Sequence, residues 1–501
     1  MKRLPLLLLL VLPCQGHALV TLAPLFQDRA VLQCDKEVPV WGEAAPGEPV
    51  EISFGGQTLK TKADAQGRWL VRLAPLRASS EPAELRVKGS NVITLREILV
   101  GEVWLCSGQS NMEFPMRKAS DAANEMRQAN FPAIREFKVA KAVSGTPLAT
   151  LQGAWTAASP QTVGDFSAVG YFFARAVHAR LNVPVGIVNA SYGGTMIEAW
   201  VTPETVRNEP VGNVIYERWK QGRARYPKLR AEYDDALAAW EAREAEAKTA
   251  GRTFAEAKPK RPMPWPSRST PAGLFNAMVH PLAPYALRGI LWYQGEANVS
   301  RGAREYRLLF PALITRWREA FAQGDLPFYW VQLPNFSQGD PAGTARAALR
   351  EAQQSALTLP QTAQAVTIDI GDPANNHPEN KQEVGRRLAL LAGNHLYGWP
   401  DTASGPEFAR AEFEADGRVR VRFVASEEGL VLKPGALSPF ELAGADRVFH
   451  PAEARVEGGV LVLSSCEVAA PKAVRYAWCN APEACLFNRA GLPAAPFRSD
   501  A

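Results

Sequence analysis

A chain of 501 residues that is 47% hydrophobic and 21% charged has the composition of a folded protein of two to four domains, not of a disordered or fibrous one. Its formal net charge of +5 is small for the length, and no run of basic residues is present, so nucleic acid is not an expected partner.

Lys2 and Arg3 precede the apolar run Leu4 to Leu12, and Gly16-His17-Ala18 supplies small residues at a cleavage site. This predicts an export signal over residues 1–18 and a periplasmic or secreted protein beginning near Leu19. The run is too short to span a bilayer, Pro13-Cys14 fits a lipobox poorly, and no later segment promises stable membrane insertion. Beyond Cys14 the cysteines are Cys34, Cys106, Cys466, Cys479 and Cys485, an odd number. Cys479 and Cys485 are near enough in sequence to bridge in an exported protein. No C-x-x-C pair is present, and neither metal nor organic cofactor is expected.

Residues 19–98 predict a β-sandwich module. Short β-forming segments such as Val38–Gly42, Val50–Phe54, Trp69–Leu73 and Val92–Leu95 are separated by Gly-Gly, Gln-Gly and Pro-Gly turns. The next strand, Ile98 to Leu105, runs into Cys106-Ser107-Gly108-Gln109-Ser110-Asn111-Met112. A serine in such a turn stands at the carboxyl end of a strand, where open α/β sheets place their ligands. Two readings of Ser110 follow, a nucleophile or a helix N-cap. No G-x-S-x-G surrounds it, which excludes the nucleophile elbow of the α/β-hydrolases.

Strand, small-residue turn and helix then recur, the rhythm of a parallel sheet covered by helices. Ser167 to Leu181 is a helix by periodicity, and Val183 to Ala190 is a buried strand ending in Ser191-Tyr192-Gly193-Gly194-Thr195. Residues 204–262 interrupt as an exposed helical insertion, helical over Glu232 to Lys248, with a proline-rich return. Leu287 to Tyr293 is a strand ending in Gln294-Gly295-Glu296-Ala297-Asn298. A helix over Arg304–Phe321, a strand over Phe328–Leu333 and a helix over Ala342–Leu357 follow. A strand over Ala365–Ile370 leads into Gly371-Asp372-Pro373-Ala374-Asn375-Asn376-His377-Pro378, and a last helix covers Asn380–Leu391. This catalytic unit spans residues 99–403, and residues 404–501 predict a second β-rich module.

Serine hydrolysis needs a nucleophile, a base and oxyanion donors. Beyond the signal the chain has five histidines. His178 lies inside a helix, His280 in an apolar run, His395 just past the last helix and His450 in the terminal module. His377 alone follows a strand end in a polar loop, on the predicted sheet edge of Ser110.

Gly101 to Met112, Asn189 to Trp200, Trp292 to Asn298 and Asp369 to Leu390 together resemble the ordered motifs of the sialate O-acetylesterase family, within the SGNH hydrolases. Leu25-Phe26-Gln27-Asp28, Val474 to Trp478 and Pro493 to Arg498 extend the resemblance over nearly the whole mature chain. It implies a flavodoxin-like α/β/α domain between β-rich modules and an esterase acting on O-acetylated sialic acid through an acetyl-enzyme. It also implies Ser110 as nucleophile, His377 as base and an oxyanion hole from Ser110, Gly193 and Gly194. Gln294 is the preferred third oxyanion donor, with Asn298 as the alternative, and Gln109, Asn111 and Glu296 are candidates for binding substrate. The acid departs from the pattern: Ala374 stands where SGNH enzymes place Asp, and Asn375 where this family often does. Asp372 is the nearest carboxylate, either orienting His377 or capping the loop, and a Ser-His dyad is the alternative to a triad. An acetylxylan or other polysaccharide acetylesterase is the nearest competing function. A glycan-binding protein without activity is the competing class.

Overall fold

One strand joins the N-terminal module to the rest of the molecule. In the computed structural model, which describes residues 19–262, 267–424, 429–434 and 439–500, β1 covers Val92–Gly108. The predicted export signal lies outside the described residues. The first half of β1 pairs antiparallel with Ser79–Lys88 of the N-terminal module, and its second half lies inside a parallel sheet. The expected boundary after residue 98 therefore falls within one strand. No glycine or proline turn interrupts Val92 to Val100, and the chain bends instead at Glu97, whose φ is +58°.

The other strands of the central sheet are β2 (Phe131–Val139), β3 (Gly153–Ala158), β4 (Val185–Ser191), β5 (Gly289–Tyr293), β6 (Phe328–Val331) and β7 (Thr362–Ala365). They lie in the order β3-β2-β4-β1-β5-β6-β7, all parallel except the edge strand β3. The stretch β4-β1-β5-β6-β7 is the flavodoxin-like order, with β2 and β3 added at one edge. Chain progression reverses at β1, so the carboxyl end of β1 is the switch point where such sheets bind ligands.

Helices cover both faces: α1 (Ser110–Glu113), α2 (Ala168–Leu181), α3 (Pro210–Thr249), α4 (Ala303–Phe321), α5 (Ala345–Gln354) and α6 (Lys381–Tyr397). Alternate strand residues point to opposite faces. Trp104, Leu291 and Tyr329 pack with Phe173 of α2 and Leu388 of α6, while Trp292, Phe328 and Trp330 pack with Phe310 and Trp317 of α4. Burial on both sides explains why neither strand alternates: β5 is apolar throughout and β4 is apolar up to Asn189. The insertion is dominated by α3, which starts well before Glu232 and whose 40 residues bury few side chains, Ile215 and Trp240 among them.

Two expectations near the carboxyl end are revised. The strand expected over Ala365–Ile370 ends at Ala365, because the next segment leaves the sheet and Ile368 is buried in the core of the C-terminal module. The last helix continues to Tyr397 and takes in His395. Among the described residues, the C-terminal module holds two four-stranded antiparallel sheets and a two-stranded one. All five described cysteines are free, so Cys479 and Cys485 form no bridge.

Candidate active site

Three strands end together around Gly108. Its neighbours in register are Ser191 of β4 and Tyr293 of β5. The φ of Gly108 is +134°, and a Cβ there would lie 2.1 Å from the Tyr293 carbonyl oxygen, so this position requires glycine. The turn it allows makes Gln109 the N-cap residue of α1 and Ser110 the first helical residue. Ser110 is thus not the cap. Its Oγ lies 2.8 Å from His377 Nε2, at a cleft of about 600 Å³ that Glu113, Phe114, Lys118 and Asn375 also line.

The histidine loop is held through its backbone. The His377 N–H donates to Asn375 Oδ1 at 2.9 Å. The Asn376 carbonyl accepts from Asn111 Nδ2 at 3.0 Å, and Asn376 Oδ1 accepts from Arg346 Nη2 at 2.6 Å. Arg346 and its neighbour Arg350 are fully buried, and both bind Pro334 carbonyl oxygen. Asn480 of the C-terminal module ties them down further, accepting from the Arg346 N–H at 2.8 Å and from Arg350 Nη2 at 2.9 Å.

Asp372 does not orient the ring. Its Oδ1 accepts the Ala374 N–H at 2.8 Å, closing a turn in its own loop, and among the described residues His377 Nδ1 meets no carboxylate. Pro373 and the Asp372–Asn375 bridge turn the carboxyl back on its own segment. The structure therefore brings together Ser110 and His377 without Asp372.

Of the expected oxyanion donors, the side chains of Gln294 and Asn298 are directed elsewhere. Gln294 is fully buried, and its Nε2 is directed at Asn298 Oδ1 (2.7 Å), the Thr195 carbonyl (3.1 Å) and Gln109 Oε1 (3.2 Å). The Asn298 amide serves the Ile197 N–H at 3.0 Å and Glu198 at 2.8 Å. Neither amide faces the nucleophile. The Gly193 N–H lies beside Ser110 but donates to Glu113 at 2.7 Å, and Gly194 lies against Arg268. The side chain turned to the nucleophile is Gln109. Its Oε1 is held by Gln294 Nε2 and by the N–H groups of Ala297 (3.2 Å) and Gly295 (3.5 Å), which leaves Nε2 at 3.5 Å from Ser110 Oγ.

Asn111 and Glu296, expected to touch substrate, are buried beneath the cleft. Asn111 Nδ2 donates to Glu296 Oε1 at 2.5 Å, and Asn111 Oδ1 accepts from Lys381 Nζ at 2.7 Å. Burial pushes Lys381 down to about 7 against the opposing pull of Glu296. His377 is held below the ordinary imidazole value, first by desolvation; Glu296 opposes this, whereas Lys381 and Lys118 add to it. Sequence reasoning passed over Lys381 and Arg346. For Lys381 one signal was present: a cation in the first turn of a helix opposes the helix dipole, and here a buried carboxylate offsets that cost.

Comparison with known proteins agrees with this geometry. The chain matches the family described as carbohydrate esterase, sialic acid-specific acetylesterase, over residues 100–231 and 265–392. It belongs to this family of carbohydrate esterases. The matched residues include Ser110, the Gln294 turn and His377. Sialate O-acetylesterase of Rattus norvegicus is 29% identical over 91% of this chain and 90% of its own length, and that of Homo sapiens is 26% identical over 91% and 88%. A carbohydrate acetylesterase of Xanthomonas citri, known from its crystal structure, is 40% identical, covers 96% of this chain and 100% of its own, and superposes with a TM-score of 0.80. The esterase family and the α/β fold between β-rich modules are thus shown, and an acetylated sugar is the substrate class the family implies.

Proposed function

We propose that this carbohydrate esterase is a serine acetylesterase that removes O-acetyl groups from sialic acid through an acetyl-enzyme. The observation that carries the mechanism is the 2.8 Å contact of Ser110 Oγ with His377 Nε2 at an open cleft. His377 Nε2 takes the Ser110 proton as Oγ attacks the acetyl carbonyl carbon. Gln109 Nε2, fixed by the three donors on its Oε1, is the side-chain donor to the developing oxyanion. The imidazolium returns the proton to the departing sugar oxygen, leaving acetyl on Ser110. Water, deprotonated by His377, then attacks the acetyl group, and acetate leaves as Ser110 regains its proton.

Support for an acidic sugar comes from the cleft, which Arg117, Lys118 and Lys138 line against Glu113 and Glu379. Lys141 pairs with Glu113, and among the described residues Lys118 forms no ion pair. A polysaccharide acetate is the second reading, since the Xanthomonas citri relative at 40% identity is described as a carbohydrate acetylesterase without restriction to sialic acid. Export to the periplasm or medium is proposed on residues 1–18, and mass spectrometry of the secreted chain should find it beginning near Leu19.

The test is acetate release from O-acetylated sialic acid and from acetylated xylan, with p-nitrophenyl acetate as a neutral reference. Release from sialic acid by the wild type and none by Ser110→Ala is expected. Turnover by a folded Ser110→Ala variant overturns the mechanism, and release from xylan alone overturns the substrate.

A further inference from the structure

A buried chain of charge runs beneath the nucleophile. Lys381 Nζ is fully buried, lies 4.8 Å from the ring centre of Phe114 and 5.4 Å from that of Tyr293, and donates to Asn111 Oδ1 at 2.7 Å. Across the Asn111 amide, Nδ2 donates both to Glu296 Oε1 at 2.5 Å and to the Asn376 carbonyl at 3.0 Å. Glu296 is 6% exposed, and its Oε2 makes no hydrogen bond among the described residues. An ionised carboxylate and ammonium are costly to bury without partners. This pair is not in direct contact; one amide separates it, with a cation fixing Oδ1 and an anion fixing Nδ2. The Asn111 amide therefore has a single orientation, and that orientation puts an N–H on the peptide preceding His377.

Resting on the acetylesterase reading, we propose that Lys381, Asn111 and Glu296 form a positioning assembly that takes over the two tasks of a triad acid. Asn111 fixes the Asn376–His377 peptide, and with it the direction of the imidazole toward Ser110. Glu296 supplies the buried negative charge that favours the imidazolium formed when Ser110 gives up its proton. Lys381 balances the charge of Glu296 across the amide and holds Asn111 in register. The other charged groups facing the histidine are Arg346, which acts through Asn376, and Arg117, Lys118, Lys138, Glu113 and Glu379 across the cleft. Only Glu296 and Lys381 approach from below, and their signs are opposite.

That opposition provides the test. In the full chain, Glu296→Gln and Lys381→Met are compared with the wild type by the pH dependence of kcat/KM for p-nitrophenyl acetate. Loss of the anion should move the acid limb to lower pH, and loss of the cation should move it to higher pH, each by about half a unit or more. Both variants should lose kcat by about tenfold or more with KM little changed, as for groups acting in the transition state. Glu296→Asp and Lys381→Arg should recover part of the rate. Limbs that stay in place, or move the same way, in folded variants overturn the proposal. If Lys381→Met fails to fold, Glu296→Gln decides alone, and an unmoved limb there is sufficient. Absence of any wild-type activity that depends on Ser110 would instead overturn the acetylesterase reading.

Discussion

The Gly193 N–H donates to the Glu113 carboxylate at 2.7 Å, so this backbone donor beside the nucleophile is already engaged. A Cβ on Gly193 would sit 3.4 Å from Ser110 Cβ, so this residue lies against the nucleophile. A developing oxyanion would have to compete with Glu113 for the donor and would feel its charge. Glu113→Ala should therefore raise kcat on p-nitrophenyl acetate a few-fold. The lost ion pair with Lys141 is partly exposed and contributes little to stability. A fall in kcat with unchanged KM would show that Glu113 assists the chemistry rather than competing with it.

Asp372 is predicted to matter little. Because its Oδ1 closes a turn onto the Ala374 N–H, Asp372→Asn preserves an acceptor there. The expected loss in kcat is about tenfold or less, against the roughly 10⁴-fold loss that follows when a triad acid is neutralised. A loss near the larger figure, measured on folded protein, would mean that the loop rearranges when substrate binds.

Gln109 and Gln294 make a sharper contrast. Gln109→Ala should lower kcat by roughly 10²–10³ because it removes the amide that points at Ser110. Gln294→Ala acts only through Gln109, by releasing one of the three donors on its Oε1, and should cost less. The same ordering should hold for both p-nitrophenyl acetate and the sugar substrate, since the oxyanion forms on the acetyl group that the two share. A larger loss for Gln294→Ala would reverse the assignment.

Much of the scaffold was legible because burial leaves a plain pattern. All seven residues of β4 and all five of β5 are buried; β5 is an apolar run and β4 is one up to Asn189. The strand end before Ser110 was legible, whereas the one before His377 lies at Ala365 rather than Ile370. What was not legible depended on which of several cores receives a segment. Val366 to Ile370 reads as a strand, yet Ile368 is buried in the C-terminal module, which no local period reveals. The amides posed the same difficulty. Gln109 and Gln294 both follow strand ends, and only the N–H groups of Gly295 and Ala297 decide which one turns to Ser110. Gln109, Asn111 and Glu296 resembled surface ligands for sugar because their partners lie far away in sequence.

The last prediction concerns pH. His377 must be neutral to accept the Ser110 proton, so the acid limb of kcat/KM follows its titration. Desolvation lowers it, Glu296 opposes that, and Lys381 and Lys118 lower it further. A depressed value keeps more of the base neutral at a given pH, so the limb should lie below the ordinary imidazole value of about 6.5. Lys118 is exposed, and its contribution is therefore the one that salt can screen. Raising the ionic strength to about 1 M, where the screening length falls to ~3 Å, should move the limb upward toward the ordinary value. Lys118→Ala should move it in the same direction at low salt and abolish most of the salt response, while buried Lys381 continues to act in both. A limb at or above pH ~6.5 in low salt, or a Lys118→Ala limb displaced downward, would show that the cations do not set the histidine's titration.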